Sequence, residues 1–114
     1  MRAGALRHWL TFEKLVVDQD SDGARVETWL PAFDVSSRMP CEVVALSGRE
    51  LIAAQAQNSK VSHRIKVRYR PGLEPTMRAR DPDGTIFSFE ALIPDASSRI
   101  RHVTILATAG VNVG

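Results

Sequence analysis

The chain of 114 residues carries one cysteine, Cys41, so it can form no internal disulfide. That excludes the small secreted scaffolds held by sulfur bridges and points to a reducing compartment. Beside Val43 and Val44, the thiol is expected to pack as a small apolar group. No apolar run approaches the ~18 residues needed to cross a bilayer. The opening "MRAGALRHWL" also lacks the long apolar segment of a secretory signal. The expectation is a soluble protein made in the cytoplasm, with no membrane partner. Charge of one sign is scarce too: fifteen Lys and Arg against thirteen Asp and Glu leave a formal charge of +2. A chain devoted as a whole to polyanions is excluded, and any basic surface must be local. There is no internal repeat and no low-complexity segment.

What the chain does have is enough apolar content, 44% of its residues, to fill one modest core. The expectation is a single domain over residues 1–114, with 110–114 as a loose tail. "LRHWLTFEKLVVDQDSDGARVETWL" predicts a hairpin: one strand over 8–17, an Asp- and Gly-rich turn, and a second strand over 25–30. "PAFDVSSRMP" is bracketed by Pro31 and Pro40, which cannot donate into a ladder, and predicts a loop. In "SGRELIAAQAQ", Ser47 and Glu50 stand at capping-box spacing, so one short helix is expected near residues 48–57.

"VSHRIKVRY" alternates, with Val61, His63, Ile65, Val67 and Tyr69 on one face and Arg64, Lys66 and Arg68 on the other. Short strands follow in "TMRAR", "TIFSFEALI" and "RIRHVTILAT", separated by "DPDG" and the turn-like "PDASS". Short strands at roughly ten-residue spacing with one helix predict a mainly all-β chain, a small antiparallel β-barrel or sandwich.

Candidate chemistry is thin. Asp18, Asp20, Asp22 and Gly23 in "DQDSDG" match the start of a calcium loop, but the closing carboxylate position holds Trp29 and a strand precedes the motif. An acidic solvated turn is expected instead. His8, His63 and His102 fall on three strands without ligand spacing, so no metal is expected. There is no nucleophile elbow, phosphate-cradling glycine loop or zinc signature. Glu50 has a capping role open to it and Glu90 lies in a strand, so neither catalysis nor a cofactor is expected. Sugar binding would need stacking aromatics, of which only Trp9, Trp29 and Tyr69 are candidates, the last turned inward by alternation.

The strongest local pattern is basic. Arg64, Lys66, Arg68 and Arg70 recur at every second position, and Arg78 and Arg80 follow a Pro-Gly interruption. Three uses stand open: a phosphate track on double-stranded DNA, a charged seam between subunits, and a solvated strand face.

The order of the features carries a resemblance. "LRHWLTF", "SGREL" and "IKVRYRPGL" followed by "MRAR" resemble the head-tail joining proteins of long-tailed bacteriophages, also called head completion, stopper or adaptor proteins. The similarity runs from about Gly4 to Thr108. It implies a small antiparallel barrel with a short helix and no enzymatic activity. The implied role is a virion structural protein of a phage or prophage, forming a ring of its own copies between the portal or connector of the DNA-filled head and the tail-terminator or another tail protein. It implies help in retaining packaged double-stranded DNA in the channel. Within that role, Arg64, Lys66, Arg68, Arg70, Arg78 and Arg80 would face a neighbouring copy or the channel. Asp18, Asp20 and Asp22 would supply the complementary acidic turn. The rival is a stand-alone nucleic-acid-binding barrel using the Arg64 to Arg80 face.

Overall fold

Alternating apolar residues decide the architecture. In a computed structural model that describes residues 7–94 and 102–111, seven strands and one helix form in the order β1 (His8–Gln19), β2 (Arg25–Pro31), β3 (Arg38–Ala45), α1 (Gly48–Ala56), β4 (His63–Arg68), β5 (Arg78–Arg80), β6 (Thr85–Pro94) and β7 (His102–Val111). All pairings are antiparallel, and six strands close on themselves in the order β1-β3-β4-β7-β6-β5 and back to β1. The result is a small barrel with β2 added outside the closed ring. A six-stranded barrel is narrow enough for side chains alone to fill.

Within the closed ring, each strand turns alternate residues inward. Leu10 and Phe12 of β1, Met39 and Cys41 of β3, Ile65 and Val67 of β4, Ala79 of β5, Phe87 and Phe89 of β6, and Val103, Ile105 and Ala107 of β7 make the core. Alanines opposite phenylalanines leave room for the rings, and Phe12 meets Phe89 edge to face with centroids 5.6 Å apart. In β6 the register shifts between Phe89 and Ala91. This bulge at Glu90 changes the phase of the strand, so that Leu92 packs on the core while Ile93 stays exposed. The "DPDG" turn closes with Gly84 at φ +96°, a conformation that favours glycine. The Asp83 carboxylate accepts from the Thr85 N–H at 2.9 Å, which holds its pKa below the usual range.

Phe12 is a branch point. Its N–H donates to the Ser37 carbonyl at 2.8 Å and its own carbonyl accepts from the Ala32 N–H at 2.9 Å. Both groups of one residue point to the same side, so β3 and β2 follow one another along a single edge of β1. Beyond Glu13, β1 pairs only with β2, through Gln19↔Arg25. The two form a hairpin arm that leaves the barrel.

Several expectations are corrected. The segment from Pro31 to Pro40 is not one loop: Pro31 ends β2, Pro40 lies inside β3 opposite Trp9, and the loop spans 32–37. Pro40 is tolerated because alternation from Ser37 turns its nitrogen away from β1, and the β3–β4 ladder ends one rung earlier at Cys41↔Val67. Tyr69 is not interior. β4 stops at Arg68, alternation lapses, and the tyrosine is 48% exposed. The strand in "TMRAR" shrinks to Arg78–Arg80. Of the expected tail, Gly110 and Val111 belong to β7, and residues 112–114 lie outside the described residues, as do 95–98 of "PDASS" and 99–101 of the last predicted strand.

Candidate functional site

The basic comb is best followed residue by residue. On β4, Ile65 and Val67 turn inward, so Arg64, Lys66 and Arg68 project from the barrel. Arg64 forms an ion pair with Glu50 of α1. The helix has no buried residue, with Ile52 69% exposed, so this pair and its cap tie it down. In the cap the Glu50 N–H donates to Ser47 Oγ at 3.3 Å, and the Ser47 N–H donates back to Glu50 Oε1 at 3.0 Å. The Ser47 N–H first, and then the Arg64 guanidinium, hold the Glu50 carboxyl below the usual carboxylate range. Lys66 stands opposite Glu42 across the β3–β4 ladder. Arg70, past the end of the strand, donates to the carbonyls of Val35 and Ser36 and lies 3.9 Å over the Phe33 ring. It braces the 32–37 loop.

Arg78 and Arg80 are elsewhere. In the closed order, β5 is three strands from β4 by either route, so the two halves of the comb face opposite ways. Both β5 arginines bind Glu13 of β1, Arg78 Nε at 2.7 Å and Arg80 at 3.1 Å. The Arg78 guanidinium also lies 4.3 Å from the centre of the Trp29 ring of β2. The seam where the barrel closes is thus fastened by an ion triad, and the same arginine clasps the root of the arm. The six residues form no continuous track. Among the described residues, Lys66 and Arg68 alone of the six make no ion pair or hydrogen bond.

The acidic turn at the tip of the arm serves its own backbone. Asp20 Oδ1 accepts from the N–H groups of Asp22 and Ala24, both at 2.9 Å, and Asp18 Oδ1 accepts from the Gln19 N–H at 2.8 Å. No group of three or more potential metal-ligating side chains gathers among the described residues. His63 lies edge to face with Phe87, and Glu90 accepts from Thr108 Oγ1 at 3.1 Å.

One surface was not foreseen. Where the arm leaves the barrel, the edges of β1, β3 and β4 line a groove of about 380 Å³. Trp9, Pro40, Arg68, Tyr69 and Arg70 line it, and Arg38 covers the Trp9 ring at 4.8 Å. Here cations and exposed aromatic rings are interleaved, an arrangement that strict alternation past Arg68 denied. The signal available in the sequence was "RPG": Pro71 and Gly72 end the strand before Tyr69 can turn inward.

Comparison with known proteins bears on this geometry. The chain is similar to the solution structure of protein SF1141 from Shigella flexneri 2a, with 27% identity over 96% of this chain and 97% of that one and a TM-score of 0.74. It also shares its fold with a chain of the virion of a native gene transfer agent particle, at 22% identity, the same coverage and a TM-score of 0.59. No curated protein matches the chain. The model of the phage head completion protein family matches residues 1–110. On that match, spanning the barrel, the arm and the helix alike, the chain belongs to the phage head completion protein family.

Proposed function

We propose that the protein forms a ring between the DNA-filled head and the tail, joins the portal or connector to a tail protein, and helps to retain packaged DNA. The observation that carries this reading is the family match over residues 1–110, since that family is one of phage structural proteins. The geometry supports it in a second way. β3 runs from the root of the arm, where Arg38 pairs with Thr11, to the base of α1, where Ala45 pairs with His63. The arm and the exposed helix therefore lie at opposite ends of one strand. A molecule that bridges two partners needs two separated docking ends on a rigid body, and a closed barrel supplies the rigidity. The 32–37 loop, at the arm end, would take one partner, and residues 47–60 the other. No helix among the described residues is long and apolar enough to cross a membrane.

The test is a phage or prophage lacking this gene, induced and viewed by electron microscopy. Separate filled heads and finished tails, restored to whole particles by supplying the protein, are expected. Normal infectious particles from the deletion strain would overturn the joining role.

A further inference from the structure

The arm has more apolar surface than it can cover. Register places Leu15 and Val17 on one face of the ribbon and Val26 and Leu30 on the other, and all four are exposed. A two-stranded ribbon has no third layer to shield either face, and such hairpins are marginal alone in water. The tip adds three carboxylates, on Asp18, Asp20 and Asp22. The groove beside the arm's root is the chemical complement: Trp9, Pro40 and Tyr69 are apolar or aromatic, and Arg38 and Arg68 are cationic, with Arg68 unpaired among the described residues.

The arm cannot fill its own groove. β1 starts in that groove at Trp9 and runs straight out of it, so Val17 lies eight residues further along an extended strand, about 27 Å away at ~3.4 Å per residue. We propose that the arm of one copy docks in the Trp9–Tyr69 groove of the next, with Leu15 and Val17 of one ribbon face against the rings and the tip carboxylates against Arg38 and Arg68. The contact joins two different surfaces, so each copy gives an arm and receives one. Such a head-to-tail contact closes into a ring when its rotation does. The seam between copies is therefore this groove, without Arg64, Arg78 and Arg80, which are committed within the chain. The proposal deepens the ring reading and rests on it.

The experiment mixes full-length Val17→Cys protein with Tyr69→Cys protein under mild oxidation. Both positions are exposed, and Cys41 is fully buried. A mixed disulfide is expected in preference to either like pair. In sedimentation, Arg38→Glu with Arg68→Glu is expected to weaken self-association about tenfold or more, and Asp18→Lys with Asp22→Lys in the partner to recover it. Thermal unfolding of each variant controls for folding. Association without the mixed disulfide, or a monomer at every concentration with none, overturns the arm-to-groove contact. Groove-dependent binding of a short DNA duplex in place of a second copy overturns it too and reassigns the groove to nucleic acid. None of these results touches the joining role, which the deletion strain tests separately.

Discussion

Replacing Glu13 with alanine should be far more damaging than its place on an outer strand face suggests. The Glu13 side chain is 11% exposed, its partner Arg78 is 15% exposed at 2.7 Å, and Arg80 is a second partner at 3.1 Å. Removing the carboxylate leaves the Arg78 charge desolvated without a counter-charge. Breaking a buried pair in this one-sided way costs about 3–5 kcal/mol. Arg80 is 41% exposed and can turn to water, so the lower end, about 3 kcal/mol, is the working figure. That is a large part of the ~5–15 kcal/mol that holds a domain folded, and roughly 10 °C or more in Tm. The assay is urea unfolding of the parent, Glu13→Ala and, as control, Glu27→Ala. Glu27 pairs with Arg25 at 2.9 Å but in the open, with 49% of its side chain exposed, and should cost no more than about 1 kcal/mol. Joint replacement of Glu13 and Arg78 by methionine should recover much of the loss, because no buried charge is then left alone. A Glu13→Ala cost within about 1 kcal/mol, equal to the control, would refute the reasoning.

Two further outcomes are expected. The Ser47 N–H and Arg64 hold the Glu50 pKa below its ordinary value of 4.5. A carboxyl with a depressed folded value stabilises the fold above its unfolded value and loses that contribution as pH falls through the folded one. Amide protection in Gly48–Ala56, taken against the intrinsic exchange rate at each pH, should therefore fall below pH 4.5, while Glu50→Gln should already show reduced protection at pH 7; unchanged protection in that variant would contradict the latch. Burial pushes the Cys41 thiol up to about 12, so a thiol reagent at pH 8 should modify it only on unfolding, and prompt labelling of the native protein would count against this core.

The strands were legible because their chemistry is local. Ile65 and Val67 alternate with Arg64, Lys66 and Arg68, and nothing distant is needed to see that this strand is half-buried. Ser47 and Glu50 likewise act across three residues. The partners of the basic comb were not legible because they cannot be seen along a strand. Whether Arg78 is solvated or paired depends on Glu13, which is 65 positions away in sequence, and only closure of the barrel brings them together. The groove was hidden for the same reason. Trp9 comes from β1, Arg38 from β3 and Tyr69 from just past the end of β4, and their meeting depends on Pro40 being taken into β3 rather than left in a loop.

The closing seam has a consequence for how the chain reaches this shape. Three rungs, Thr11↔Arg80, Phe12↔Ala79 and Glu13↔Arg78, turn an open sheet into a barrel, whereas the β1–β2, β3–β4 and β6–β7 pairings join neighbours in sequence. Ordering the long intervening chain carries an entropic cost that must be met before the seam is rewarded. The seam is accordingly expected to form late, after the hairpins. The Glu13→Ala loss should then appear mainly as faster unfolding, with the folding rate little changed. Until the seam shuts, the β1 and β5 edges are both open to other strands, so the moment of greatest risk of mispairing is the last step of folding.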